Sequence, residues 1–355
     1  MPFTVLSVAF PLVPVSPDTA GGAEQIVSVL DRHIVQSGGR SLVMAAEGSR
    51  VRGELIATPR WDAPIDAQVR TWAAAEHRRI LNHHLRDVDV VHLHGLDFHE
   101  YLPDGDVPCL ATLHLPPQWY APNVFSETRR GLTYNCVSWH QRRHCPASSV
   151  PIHTIPHGLD VELFEWRIEK RNYALALGRI CPEKGFHFAI SAAERARVPL
   201  FIAGQVFAYE AHLQYFRREI APRLSRCIRF IGPAGFRKKR RLMREAKCVL
   251  IPSTAPETSS LVAIEALASG TPVIAFRSGA LPEIVEHGRT GFIVDSEFEM
   301  ADAIREIENI DSLACRAAAV QRFHADRMTR EYFELYEQII DRGEIIENCT
   351  GRPAA

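Results

Sequence analysis

Two glutamates carry the first chemical signal. Glu257 and Glu265 stand eight residues apart within Pro256-Glu257-Thr258-Ser259-Ser260-Leu261-Val262-Ala263-Ile264-Glu265-Ala266. Along a helix that spacing amounts to roughly 12 Å. It is too wide for two carboxylates working on one glycosidic bond, and it suits two contacts at the ends of one elongated ligand. Leu261, Ile264, Leu267 and Ala268 repeat at helical spacing, Ser259 or Ser260 can cap the start, and Gly270 closes the end. The free N–H groups of such a start favour phosphate. A capping acid followed by a solvated acid is the plainer alternative.

A second set lies upstream, in Gly178-Arg179-Ile180-Cys181-Pro182-Glu183-Lys184-Gly185. A guanidinium and an ammonium five residues apart, on a turn between a strand and a helix, can clamp a diphosphate. Gly21-Gly22-Ala23-Glu24 permits close approach of backbone to a ligand, or simply a helix start with positive φ. No GxGxxG occurs, which counts against a nicotinamide or flavin site. His92 and His94 point to one face of a strand, and with His114 on a neighbouring strand they can be read as a three-histidine metal site. No carboxylate stands beside them at fixed spacing, so no metal is expected. Asp87-Val88-Asp89 and Asp104-Gly105-Asp106 fit a DxD pattern but sit at the wrong end of a strand and in a turn. The basic run Arg237 to Arg241, with Arg244, reads as a solvated helix face, with contact to anionic lipid or a phosphorylated acceptor as the alternative.

The elements that must hold these groups alternate between strand and helix. Strands are predicted at Thr4–Phe10, Ser41–Ala45, Val88–His94, Val107–Leu113, Thr133–Val137 and Val150–Ile155, with a helix around Ile26–Ile34 and another over Ala67–Leu85. Pro156-His157-Gly158-Leu159-Asp160 and the charged run Glu162–Asn172 read as a linker. A second alternation follows, with strands at Tyr173–Leu177, Leu200–Ala203, Ile228–Ile231, Cys248–Ile251, Pro272–Ala275 and Phe292–Val294, and a periodic helix over Arg330–Ile340. Two successive parallel α/β halves put ligands at the carboxyl ends of strands. Gly21-Gly22, His94, His114, Ser138, Arg179 and Glu257 all fall there, which argues for a cleft between two domains.

Length and composition agree. At 355 residues the chain fits two domains of about 150–180 residues. A net charge of −1 gives no general pull toward nucleic acid or membrane. Eight cysteines show no CxxC pair. Met1 to Val15 has no early charge and is interrupted by Pro11 and Pro14, so it is not a signal peptide, and no stretch approaches 18 apolar residues. A cytoplasmic protein is expected, with membrane contact at most peripheral.

The Glu257–Glu265 block, with its Pro-Ser and Ala-Ser-Gly-Thr-Pro-Val flanks, resembles the E-x7-E signature of the family 4 glycosyltransferases. Gly178 to Gly185 resembles that family's G-R-x-x-x-x-K-G element. Ser278-Gly279-Ala280-Leu281-Pro282-Glu283-Ile284-Val285, with Gly288 and Thr290-Gly291, resembles its G-x-x-P-E-I-V…G-x-T-G segment. The resemblance covers nearly the whole chain and is specific mainly from Tyr173 to Val294. It implies the GT-B fold, two Rossmann-like parallel-sheet domains facing each other across a cleft. These are residues 1–160 for the acceptor, 161–325 for the donor, and a terminal helix, 326–345, crossing back to the first. It also implies retaining, metal-independent transfer of a hexose from a nucleoside diphosphate sugar, a UDP-sugar by preference, with no cofactor.

By resemblance Glu257 holds the donor sugar, Glu265 the ribose, Arg179 and Lys184 the diphosphate, and His114 the region of the reacting carbon. Gly21, Gly22, Ser259, Ser260 and Leu261 complete the donor site. His94, Trp119, Tyr120 and Ser138 are the acceptor-side candidates, for a small-molecule, saccharide or lipid-linked acceptor. Three departures stand out: Thr258-Ser259-Ser260 replaces the usual aromatic-glycine step, His157 stands where an asparagine is usual, and His114 to Tyr120 forms a distinctive aromatic-proline loop. A glycosyl phosphorylase, a histidine-metal hydrolase and a non-catalytic nucleotide-sugar binder are the rival readings.

Overall fold

The structure, a computed structural model, describes residues 3–16, 19, 21–61 and 66–350, with side chains through 342. The chain forms two compact units, Met1–Pro156 with Asp326–Ala355, and His157–Ala325.

The first unit is a parallel seven-stranded sheet. Its strands are β1 (Thr4–Val8), β2 (Arg40–Ala46), β3 (Glu54–Thr58), β4 (Val90–Leu93), β5 (Cys109–Leu113), β6 (Leu132–Cys136) and β7 (Ile152–Thr154), in the order β3-β2-β1-β4-β5-β6-β7. The inner strands are near-continuous apolar runs because both sheet faces are covered, as in parallel sheets generally. Helices α1 (Gly22–Gln36), α2 (Ala67–His83) and α3 (Trp139–His144) belong to this unit. Asp66 caps α2 by accepting from the Val69 N–H at 2.8 Å. Strand β3 has no counterpart in the sequence-based expectation. Its five residues are short and half-exposed, with only Ile56 and Thr58 buried.

The second unit is a parallel six-stranded sheet. It contains β8 (Arg171–Leu177), β9 (Leu200–Ala203), β10 (Ile228–Phe230), β11 (Ala246–Ile251), β12 (Val273–Phe276) and β13 (Gly291–Val294), ordered β10-β9-β8-β11-β12-β13. Around it lie α4 (Phe186–Ala196), α5 (Glu210–Tyr215), α6 (Phe236–Glu245), α7 (Leu261–Ala268), α8 (Leu281–Ile284), α9 (Glu297–Glu306) and α10 (Ser312–Arg322). The run expected to be a linker is part of this unit. Val161 and Phe164 are buried in its core, and Arg316 donates to both of their carbonyls at 2.9 Å. The apolar pair outweighs the charges around it.

Helix α11 (Ala325–Thr350) is longer than its periodic core suggests, and from Asp326 onward it is part of the first unit. Tyr332 and Tyr336 are fully buried there. The Tyr332 hydroxyl accepts from Asn135 at 2.9 Å, and Phe3 packs edge-on against Phe333 and Tyr336 at 5.4 and 5.6 Å. Burying such a side chain contributes about 1.5–3 kcal/mol, so this helix is integral to the first core. Among the described residues no helix is long and apolar enough to cross a membrane.

Each sheet reverses its winding once, between β1 and β4 and between β8 and β11. Open α/β sheets bind ligands beyond the strand ends at such points. Gly21 and His94 follow β1 and β4, and Arg179 and Glu257 follow β8 and β11.

Candidate functional site

In the second unit the loops after β8, β11 and β12 are fastened together. The Thr254 N–H donates to the Glu183 carbonyl at 2.9 Å, and Ser278 Oγ donates to the Ala255 carbonyl at 2.7 Å. Two glycines make this possible. Gly185 has φ +62°, and a Cβ there would lie 2.1 Å from the Pro252 carbonyl oxygen. Gly279 has φ +59°, and a Cβ there would lie 2.1 Å from the Glu257 carbonyl oxygen and 2.3 Å from its nitrogen. Neither position tolerates a side chain without moving backbone. The Ala280 N–H then donates to the Glu257 carbonyl at 2.7 Å, so the Gly279 segment fixes the backbone of Glu257 directly.

This scaffold brings Lys184 Nζ to 2.5 Å from Glu257 Oε1, which also accepts from Ser253 Oγ. The cation and the acid expected to meet different parts of a ligand therefore meet each other here. Both are largely shielded, with side chains 29% and 12% exposed, so the pair is stronger than a surface one. Arg179, five residues earlier, is exposed at the end of β8.

Glu257 lies in the loop, four residues ahead of α7, so the helical projection does not govern its distance to Glu265. Ser260 caps α7, its hydroxyl accepting from the Ala263 N–H at 3.4 Å, and Leu261 is the first helical residue. Ser259 is half-buried just before the cap. Glu265 faces inward and is 3% exposed. It is ion-paired with Lys239 of α6. The basic run is therefore not uniformly a solvated face: Arg237, Lys238 and Arg241 are exposed, whereas Lys239 is buried. Periodicity alone did not reveal it, because a lysine inside a six-cation run carries no apolar mark.

In the first unit the three histidines sit side by side at the ends of β4 and β5. His92 and His94 have ring centroids 3.9 Å apart, and His94 Nδ1 lies 3.0 Å from His114 Nε2. The histidines are instead engaged with one another and with their neighbours. Both nitrogens of His92 are committed at 2.7 Å, to the Tyr336 hydroxyl and Thr112 Oγ1, and His94 and His114 engage each other. Burial pushes His114 down to about 3 and His92 well below its ordinary value, so both imidazoles are neutral in ordinary buffers. The His114 backbone is clamped by Gln141 of α3. Its amide donates to the Leu113 carbonyl at 2.7 Å and the Leu115 carbonyl at 2.9 Å. Gln141 was missed because nothing in the sequence marks a glutamine on a six-residue helix.

The acceptor-side candidates separate. Trp119 is 45% exposed. Tyr120 is buried, and its hydroxyl accepts from the Leu115 N–H at 3.2 Å, so it braces the loop and presents no ring to solvent. Ser138 is buried as the cap of α3, accepting from the Gln141 N–H at 3.1 Å, and His94 is 3% exposed. The structure thus gives Tyr120 a bracing contact and Ser138 a capping one. Gly21 caps α1 with φ −81°, so positive φ is not what its glycine supplies, and Gly22 is the first helical residue. The Glu24 carboxylate folds back over Gly21, within 1.8 Å of where a Cβ would stand. Of the two DxD stretches, Asp89 accepts from the Thr4 N–H, while Asp104 pairs with Arg78 and Asn82. Both are structural contacts.

Residues 171–309 match the family model described as glycosyl transferases group 1. D-inositol 3-phosphate glycosyltransferase from Corynebacterium jeikeium is 33% identical over 138 residues, 37% of this chain and 32% of that protein. The match thus spans about a third of that relative's length. Phosphatidyl-myo-inositol mannosyltransferase from Mycobacterium leprae is 24% identical over 95% of this chain and 89% of its own. Among solved structures, Anabaena HepE in complex with UDP-glucose superimposes with a TM-score of 0.70 at 19% identity, covering 94% of this chain and 99% of that one. Residues 171–309 thus match the glycosyl transferases group 1 domain, and the two Rossmann-like parallel-sheet units share the GT-B fold of solved neighbours.

Proposed function

We propose that the chain is a retaining, metal-independent hexosyltransferase that takes its sugar from a nucleoside diphosphate donor, a UDP-sugar by preference. The observation that carries this reading is the meeting of Lys184 and Glu257 at the β8/β11 winding reversal, with Arg179 five residues before Lys184 on the same loop. Transfer separates a sugar with oxocarbenium character from a departing diphosphate, so positioning and electrostatics are what the protein must supply. Arg179 and Lys184 take the developing phosphate charge, Glu257 takes sugar hydroxyls, and Glu265 takes the ribose, with Ser259 to Leu261 offering N–H groups at the α7 start. In the free chain Glu257 holds Lys184, so the pair must open or share when a donor enters. Glu265 is likewise shared with Lys239, which orients its carboxylate.

His114 is assigned to the sugar as a neutral hydrogen-bonding imidazole rather than as a general acid, in keeping with its depressed pKa. Gly21 and Gly22 are assigned to backbone approach, and Trp119 to the acceptor, whether small molecule, saccharide or lipid-linked. No cofactor is assigned. The relatives named for inositol phosphate and phosphatidylinositol acceptors, and the neighbour solved with UDP-glucose, support a sugar-nucleotide donor and a polyol or lipid-linked acceptor.

The test is a panel of UDP-, GDP- and ADP-sugars with EDTA present, following nucleoside diphosphate release. Slow hydrolysis of one donor that survives chelation, with α-configured product, is the expected result. Release that requires inorganic phosphate and yields a sugar phosphate would make it a phosphorylase. Loss of all turnover on chelation would end the metal-independent reading.

A further inference from the structure

We propose that Cys181, Glu183 and His212 form a binding site for one divalent transition-metal ion, best matched to Zn2+, which fastens the loop 178–185 to α5. One ligand atom from each of the three lies within 4.8 Å of the others. The residues come from two separate segments, two on the loop after β8 and one on α5. Cys181 is buried, its thiol donating to the Arg179 carbonyl at 3.5 Å. Glu183 is exposed, and its carbonyl is the acceptor that ties the loop to Thr254. His212 Nδ1 is buried with no hydrogen-bond partner. A buried imidazole nitrogen left so is costly and asks for a ligand.

The surroundings hold the imidazole toward the loop. Tyr209 and Phe207 stand edge-on to the ring at 5.1 and 6.5 Å. The helix is itself anchored, since the Tyr215 hydroxyl lies 2.9 Å from His187 Nδ1 and accepts from the His187 N–H at 3.2 Å. A thiolate, an imidazole and a carboxylate are a mixed, borderline-soft donor set. That set suits Zn2+, whereas Mg2+ and Ca2+ require oxygen shells. Zinc stands about 2.3 Å from sulfur and 2.0–2.2 Å from nitrogen or oxygen, so rotamer-scale movement closes the three around one ion, and water completes the tetrahedron.

Cysteine ligates zinc as the thiolate, not the thiol. Binding therefore exchanges a proton for the ion: the S–H bond breaks, a sulfur–metal bond forms, and the proton leaves to buffer. No redox change is involved. The role of the ion is to hold the loop bearing Arg179. This inference is independent of the reaction proposed above, and its test needs no turnover.

The experiment titrates chelator-stripped full-length protein with Co2+ and follows the thiolate-to-cobalt charge-transfer absorption, then displaces the Co2+ with Zn2+. One equivalent of Co2+, a thiolate band, release of one proton per ion and loss of the band on adding Zn2+ are expected. Cys181→Ser removes the band, and His212→Asn weakens binding and shifts the ligand-field spectrum while the thiolate band persists. Far-UV circular dichroism and metal-free melting establish that each variant is folded, and His212→Asn keeps the test decisive should Cys181→Ser not fold. The proposal is overturned if wild type shows no thiolate band. It is equally overturned if the band survives Cys181→Ser, which would assign it to another thiol such as the Cys136–Cys145 pair, whose sulfurs lie 3.4 Å apart.

Discussion

The two units repeat one architecture and fill its functional end with opposite electrostatics. Beyond β8 and β11 the second unit gathers formal charges in matched pairs, Lys184 with Glu257 and Lys239 with Glu265. Beyond β4 and β5 the first unit gathers neutral imidazoles, His92, His94 and His114, held by tyrosine, threonine and one another. Charged pairs suit a ligand that is itself polyanionic, because a diphosphate can exchange into them. Neutral rings suit hydroxyl-rich partners, which need directional hydrogen bonds and no net charge. The matched family segment, 171–309, lies wholly in the charged unit.

Four changes break or sharpen that contrast. The largest effect is expected for Lys239→Met, which strands the Glu265 carboxylate in the interior and should cost about 3–5 kcal/mol in denaturant unfolding. The double change Lys239→Met with Glu265→Leu should recover most of it, and failure to recover would mean that Lys239 acts otherwise than as the partner of Glu265. Next is Gly185→Ala, which combines positive φ with a Cβ 2.1 Å from a carbonyl oxygen and should cost about 2–4 kcal/mol. A melting temperature equal to wild type would show that the two loops are not pinned there.

Third, Glu257→Gln should lower kcat/KM for the donor roughly 100-fold, the loss expected of one preorganised polar contact, with the fold unchanged by circular dichroism. The smallest effect comes from acid. Burial lowers His77 to about 4 and His114 to about 3. A histidine whose folded pKa is depressed binds its proton more tightly when unfolded, so its contribution to stability is intact above the unfolded value near 6.5 and fades below it. Between pH 7 and pH 6 each of the two should remove about 0.7 kcal/mol of stability. Unfolding midpoints across that range, compared with those of His77→Phe, give the share of one ring.

Much of this fold was legible because parallel strands buried on both faces are unmistakable apolar runs. Val5 to Val8, Tyr173 to Leu177 and Cys248 to Ile251 needed no context. Strand β3 was not, because Glu54-Leu55-Ile56-Ala57-Thr58 is brief and half-exposed, and its pairing with β2 is set by a buried carboxylate elsewhere. Asp31 of α1 accepts from Ser41 Oγ and from the Arg52 and Gly53 N–H groups, which turns the chain into β3. The charged cluster was readable as motif spacing around Glu257, Arg179 and Lys184, since glycine and charge at fixed offsets carry a backbone meaning. Its partners were not. Lys239 and Gln141 act through long-range contacts made only when α6 meets α7 and α3 meets the end of β5. The same holds for Cys181 and His212, which lie 31 positions apart and show no ligand-spacing motif.

The most direct test of the central claim is equilibrium binding of UDP and of UDP-glucose to wild type and Glu257→Gln, by titration calorimetry. If Glu257 holds the sugar while Arg179, Lys184 and Glu265 hold the nucleotide, wild type binds UDP-glucose, and the substitution weakens UDP-glucose while leaving UDP within a small factor. Equal weakening of both ligands would move Glu257 out of the sugar site. Binding of neither ligand to wild type would contradict a uridine donor at this site and send the search to the other nucleoside diphosphate sugars.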